Sequence, residues 1–232
     1  MIRIARKNLE DFDDLWIYKN FLDSSTMVQI AHYLHNNSTN LRLNYEGRKI
    51  NYQDKKFTLI GTNHYRPYMK LWDFSHEEEY WNNTRESVYS FVNFKYKSYL
   101  HPALRVLVSK VLCVNPLNSG RMIAIRGIFN LLYPGVALDP HLDGGGFIVD
   151  DNVSNIYSAT YYIEVDGLGG EFWDERGFVY KPEKNSLLIN IGNKTTHGVR
   201  ESDKLRLGVT IRFVSVDDLI LEGSVDSLLY KP

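Results

Sequence analysis

"IRGIFNLLYPGVALDPHLDGGG", residues 125–146, is the stretch on which the fold turns. It opens on a run rich in β-branched and aromatic residues and breaks at Tyr133-Pro134-Gly135. It then closes on a histidine and an aspartate one residue apart, followed by three glycines. An apolar run bounded by Pro-Gly and Gly-rich turns reads as a strand. Six further segments have the same character: "IYSATYYIEV", "GEFWDE", "GFVYKP", "SLLINIG", "THGVRE" and "RLGVTIRFVSV". Turn clusters such as "VDGLGG", "DERG" and "GNKT" separate most of them. Seven or eight short strands within residues 121–216 predict a sandwich or double-sheet jelly roll rather than a parallel sheet.

Upstream, helical signals dominate. "NFLDSSTMVQIAHYLHNN" predicts a helix capped by Ser24 or Ser25, with Met27, Ile30, Ala31 and Leu34 on its apolar positions. "NTRESVYSFVNFKYKSYL" and "HPALRVLVSKVLCV" predict two more, the second with Pro102 in its first turn. The expected architecture is mainly β with flanking helices: a double-stranded β-helix, or jelly roll, supported by N-terminal helices. One domain spans residues 1–232, divided into a helical support region (1–120), the jelly-roll core (121–216) and a C-terminal tail (217–232).

Composition narrows the function classes. The formal net charge of -1 gives no bulk reason to bind nucleic acid or an anionic membrane. No run approaches the ~20 apolar residues of a membrane span, and "MIRIARKNLEDFDD" lacks the apolar core of a signal peptide. The single cysteine, Cys113, excludes an intramolecular disulfide, and its place in "LRVLVSKVLCV" reads as a buried thiol. A soluble protein of a reducing cytoplasm is expected. Sixteen tyrosines and eleven phenylalanines point to a broad aromatic core or a substrate cleft.

The chemistry starts at His141 and Asp143, whose side chains share one face of an extended strand. His197, in "TTHGV", supplies a third candidate ligand. Two imidazoles and a carboxylate, with the other positions open, form the facial triad of a non-haem iron site. A structural zinc site would need a fourth protein ligand, and the only cysteine lies in another segment. A lone H-x-D is also a common surface feature, so more is needed. Arg206 lies nine positions after His197 and shares a strand face with Gly208, Thr210 and Arg212. Inside a jelly roll a guanidinium needs an anion: a bound carboxylate, or a buried Asp or Glu.

Residues 130–213 resemble the prolyl-4-hydroxylase-like branch of the 2-oxoglutarate/Fe(II) dioxygenases. "LLYPG", "HLD", "TYYIEV", "LGGEFW", "LLINIG", "THGV" and "RLGVTIRF" follow in that order. The resemblance implies that His141, Asp143 and His197 hold Fe(II) and that Arg206 clamps the distal carboxylate of 2-oxoglutarate. It also implies that Tyr133 faces the co-substrate, that Tyr162 rather than Tyr161 hydrogen-bonds its carboxylate, and that Phe172 packs on its methylenes. Ordinary aromatic core is the competing reading for these three. The implied reaction consumes dioxygen, with ascorbate in support, and converts 2-oxoglutarate to succinate while hydroxylating a C–H bond of a small-molecule or peptide substrate, prolyl included.

Arg212 stands where prolyl hydroxylases carry an aromatic residue. The R-x-x-x-T-x-R spacing of "RLGVTIR" is similar to that of the nucleic-acid alkylation-repair dioxygenases, which makes oxidative demethylation the first rival. A non-catalytic jelly-roll binding module is the second. Arg212 and Phe147 are the expected substrate contacts, and "GGGFIVDDNVSN" reads as a long loop in which Phe147 and Ile148 close over the metal or as a neutral insertion.

Overall fold

The alternation along Tyr157–Glu164, YSATYYIE, shows how the molecule is layered. Tyr157, Ala159, Tyr161 and Ile163 join the main hydrophobic core. Ser158, Thr160 and Tyr162, the intervening residues, line a cavity on the opposite face. A period of two with both faces covered makes this a central strand between two layers.

The computed structural model describes residues 14–37, 42–45, 48–51, 68–73, 100–114, 121–143 and 155–217. Its strands are β1 (Leu15–Tyr18), β2 (Arg42–Tyr45), β3 (Arg48–Asn51), β4 (Tyr68–Asp73), β5 (Met122–Leu132), β6 (Leu138–His141), β7 (Tyr157–Glu164), β8 (Phe172–Asp174), β9 (Val179–Tyr180), β10 (Ser186–Ile191), β11 (His197–Val199) and β12 (Arg206–Ser215). Eight form one sheet in the order β1-β10-β7-β12-β5-β4-β2-β3, and four form a second, β6-β11-β8-β9. The pairing is antiparallel throughout these ladders. The two sheets face each other across the cavity, as a jelly roll requires.

The outer face of the large sheet is covered by helices α1 (Ser24–Asn37) and α2 (Pro102–Cys113). Ile30 and Leu34 of α1, with Leu104, Leu107, Val108 and Val111 of α2, share one cluster with the sheet residues Ile125, Tyr161, Ile189 and Phe213. Removing a side chain such as Leu107 from that cluster costs about 2–5 kcal/mol. The polar face of the sheet is thereby left to the cavity.

Several expectations change here. The N-terminal region, read as helical, also supplies β1 to β4. Runs of four residues such as Leu15–Tyr18 are too short for a period to declare itself, and β1 is a strand because β10 offers it an edge. The α1 cap is Asp23: its Oδ1 accepts from the Thr26 backbone N–H at 2.9 Å and its Oδ2 from the Thr26 hydroxyl at 2.8 Å. Cys113 is exposed. It stands two residues past the buried Val111, roughly 200° around a helix with 3.6 residues per turn, and so points away from the packed face. All but the last residue of the helix expected over residues 83–100, residues 144–154 with Phe147 and Ile148, and the tail from residue 218 lie outside the described residues. No helix among the described residues is long and apolar enough to cross a membrane.

Candidate metal centre and anion pocket

His141 ends β6 and His197 begins β11, and the register sets them directly opposite each other. Their ring centroids are 4.7 Å apart. Asp143 lies just beyond β6 in a bend, where its N–H donates to the Gly192 carbonyl at 2.7 Å. Position 192 must be glycine for this approach, because a Cβ there would stand 2.5 Å from the Asp143 Cβ.

Both histidines are fixed through the nitrogen away from the aspartate. His141 Nδ1 is 2.7 Å from the Asp139 carbonyl, and His197 Nδ1 is 2.9 Å from the Thr195 carbonyl. A carbonyl oxygen can only accept, so each Nδ1 carries a hydrogen, and in the neutral ring Nε2 is the nitrogen left to coordinate. Those Nε2 atoms lie 3.8 Å and 3.5 Å from the two oxygens of Asp143. One donor atom from each of the three residues falls within 4.8 Å of the others, and no fourth His, Cys, Asp or Glu joins them among the described residues. Two neutral nitrogens and one carboxylate, closed on the protein side and open on the other, suit a divalent first-row metal that keeps exchangeable positions.

The carboxylate is held from both ends. Ser158 Oγ donates to Oδ2, and Arg212 Nη2 donates to Oδ1. Burial alone would raise the Asp143 carboxyl, but the Arg212 guanidinium and the His197 ring hold it well below the ordinary carboxylate range. Burial likewise pulls His197 down, and the Asp143 carboxylate overrides it to leave the ring above its ordinary value.

A second station lies farther along β12. Arg206 is 5 % exposed, its Nη1 is buried without a hydrogen-bond partner, and no carboxylate pairs with it among the described residues. The guanidinium carbon sits 5.6 Å from the centre of the Tyr162 ring. Burial pushes the Tyr162 phenol up to about 12, against the pull of Arg206, so it stays protonated at neutral pH. A buried cation with an orphaned N–H, beside a neutral phenol, is a site for an anion. Glu171 acts on Arg206 from a distance, but no carboxylate among the described residues contacts it as an ion pair.

The predicted residues therefore separate. His141, Asp143, His197, Arg206, Tyr162, Phe172 and Arg212 all line the same cavity. Phe172 stacks on the His197 ring at 5.5 Å, and Tyr161 points the other way into the core. Tyr133 is not in the lining. Alternation along β5 gives Ile128, Asn130 and Leu132 to the cavity, and Tyr133, just past the strand's end, packs against Leu132 and Val199 at the cavity's edge. Arg212, expected at the substrate, is engaged with Asp143.

Sequence reasoning missed the polar floor between the two stations. Asn130 Nδ2 donates to Thr210 Oγ1 at 2.7 Å, and the Thr160 and Thr210 hydroxyls are 3.1 Å apart. Asn130 Oδ1 and Asn190 Nδ2 are buried without partners. The signal was present in the S-x-T-x-Y alternation of β7, whose polar members fall on the face shared with Asp143.

No protein-family model matches the chain, and no curated protein matches it. Among solved structures, the chain is similar to a prolyl-4-hydroxylase from Pseudomonas putida, at 16% identity over 87% of this chain and 92% of that one, with a TM-score of 0.52. It is similar to a prolyl hydroxylase from Trichoplax adhaerens, solved with a peptide fragment of hypoxia inducible factor, at 16% identity over 88% and 85% with a TM-score of 0.54. A viral collagen prolyl hydroxylase from Paramecium Bursaria Chlorella virus-1, in complex with 2OG, matches at 10% identity over 87% and 96% with a TM-score of 0.52. The chain has the fold of these proteins.

Proposed function

We propose that this chain is a 2-oxoglutarate-dependent non-haem iron dioxygenase that hydroxylates a C–H bond of a small-molecule or peptidyl substrate. One observation carries the reading: an open two-histidine, one-carboxylate cluster and an orphaned buried guanidinium line the same cavity. The donor set fits Fe(II), with His141 and His197 giving Nε2 and Asp143 giving an oxygen. Iron bound there supplies oxidising power, with one atom of dioxygen going to succinate and the other to the substrate.

The protein's part is orientation. Arg206 and Tyr162 hold the distal carboxylate of 2-oxoglutarate, and Phe172, stacked on His197, packs along its methylenes. The Asp139 and Thr195 carbonyls keep both imidazoles in the metal-binding tautomer. Ser158 and Arg212 fix the rotation of the carboxylate. The Trichoplax enzyme's peptide complex favours a peptide among the substrate classes, prolyl peptides included. Oxidative demethylation of nucleic acid is the rival reading, and there Arg212, which lines the cavity, would serve Asp143 through Nη2 as well as a substrate.

Anaerobic titration with Fe(II) and then 2-oxoglutarate tests the reading. A visible charge-transfer band that saturates at one equivalent of each is expected, followed by succinate release on admitting air with ascorbate present. A protein that binds neither Fe(II) nor 2-oxoglutarate is a jelly-roll binding module instead.

A further inference from the structure

The charge of the cavity is unusual for a place meant to hold a dication. Among the described residues its ionisable lining comprises one carboxylate, Asp143, two histidines, one tyrosine and two arginines. Arg206 stands at the far station, but Arg212 is in contact with that carboxylate, its Nη2 donating to Oδ1. Both residues are buried, with relative exposures of 8 % for Arg212 and 5 % for Asp143, so solvent screens the pair little. The negative charge that should draw a metal is already answered by a fixed cation. A dication arriving between His141, His197 and Asp143 meets that guanidinium across one carboxylate.

From this we propose that Arg212 makes metal loading conditional on an anionic co-ligand, so that the divalent cation and the 2-oxo acid enter the site as a coupled pair. The inference rests on the dioxygenase reading above. With both histidines neutral, metal, Asp143 and Arg212 together carry two net positive charges, and a carboxylate at the metal reduces this to one. The anion therefore recovers affinity that the guanidinium removes, and by linkage the metal tightens anion binding by the same factor. Arg212 acts through Asp143, as a positioning residue, and its effect depends on charge. A hydrogen bond alone would hold the carboxylate equally well without adding to the coupling that chelation itself brings.

The measurement is Mn(II) binding to the full chain, read from the free-ion electron paramagnetic resonance signal, with and without saturating 2-oxoglutarate. Wild type is compared with Arg212→Gln, which can still donate to Asp143, and Arg212→Lys, which keeps the charge. Chelation by the 2-oxo acid tightens Mn(II) in any such site, so the quantity that matters is the difference between proteins. Arg212→Gln is expected to bind Mn(II) alone more tightly than wild type. Its gain on adding 2-oxoglutarate should be smaller by about fivefold or more, and Arg212→Lys should follow wild type. A formate titration of wild type supplies a test that needs no variant, since formate brings a carboxylate but no chelate and should also tighten Mn(II). Equal coupling in wild type and Arg212→Gln overturns the proposal, as does weaker Mn(II) binding by Arg212→Gln alone. If Arg212→Gln does not fold, indifference of wild-type Mn(II) affinity to formate overturns it. Failure of all three proteins to bind Mn(II), with or without 2-oxoglutarate, sinks the metal-dependent reading itself.

Discussion

The guanidinium of Arg206 lies 5.6 Å from the centre of the Tyr162 ring, and its Nη1 finds no partner in the buried wall around it. A charge left in that condition favours any carboxylate that can reach it. Charge-assisted hydrogen bonds contribute about 1.5–3 kcal/mol each, so Arg206→Ala should weaken 2-oxoglutarate binding by about tenfold to a hundredfold. Mn(II) affinity without 2-oxoglutarate should stay near wild type, because Arg206 touches none of the three metal-site residues. Calorimetry for each ligand separately measures both. Wild-type affinity for 2-oxoglutarate in the variant would remove Arg206 as the clamp.

Gly170 forms the wall behind that guanidinium. It has φ +72°, and a Cβ there would stand 2.8 Å from Arg206 Cδ and 2.9 Å from Nη1. Gly177 shares the left-handed backbone, φ +86°, but a Cβ there meets nothing within 4 Å. Both Gly→Ala changes should cost about 1–2 kcal/mol of stability from the backbone. Only Gly170→Ala should also displace Arg206 and weaken 2-oxoglutarate. Thermal melts and binding titrations on the pair separate the two effects, and equal 2-oxoglutarate affinities would show that Arg206 yields without consequence.

These relationships mark how far the sequence could be read. The strand runs that became β5 and β7 to β12 were legible because each is a β-branched or aromatic stretch ended by a turn residue. The positive φ at Gly135, Gly167, Gly169, Gly170 and Gly177 shows the turns where the punctuation put them. The metal cluster was legible too, since H-x-D and a later histidine are residue types with few other uses in that combination. The Arg212–Asp143 contact was not. It joins residues 69 positions apart, through a bend held by Gly192 that no local pattern announces. Tyr133 stands just past the end of β5, against Leu132 and Val199 of the cavity lining, where strand alternation no longer says which way a side chain turns.

Tyr161 and Tyr162 offer the sharpest test of that alternation. Tyr161 donates to Asn185 Oδ1 at 3.0 Å on the core side, while Tyr162 lines the cavity. Tyr161→Phe should lower stability by about 1 kcal/mol, the net worth of a typical hydrogen bond, and leave 2-oxoglutarate binding unchanged. Tyr162→Phe should do the reverse, weakening 2-oxoglutarate severalfold with little change in melting temperature. A Tyr161 variant that lost 2-oxoglutarate affinity would mean the face assignment is wrong.

Asp23 makes a prediction about pH that is independent of the site. The Thr26 backbone N–H, followed by the hydroxyls of Ser25 and Thr26, holds its carboxyl below the ordinary carboxylate range. For a depressed carboxylate, the folded state binds the proton less well than the unfolded chain. Its contribution is therefore fully present above the unfolded value of about 3.9 and is lost as pH falls toward the folded value. Asp23→Asn keeps an oxygen for the Thr26 N–H but removes the charge at the start of α1, where the helix dipole favours an anion. The variant should melt below wild type at pH 7, and the gap should narrow steadily from about pH 4 downward as the wild-type carboxyl takes up its proton. The difference between the two proteins is the quantity to follow, because other carboxylates titrate equally in both. A gap that stays constant down to acid would mean Asp23 caps the helix by geometry alone, with no contribution from its charge.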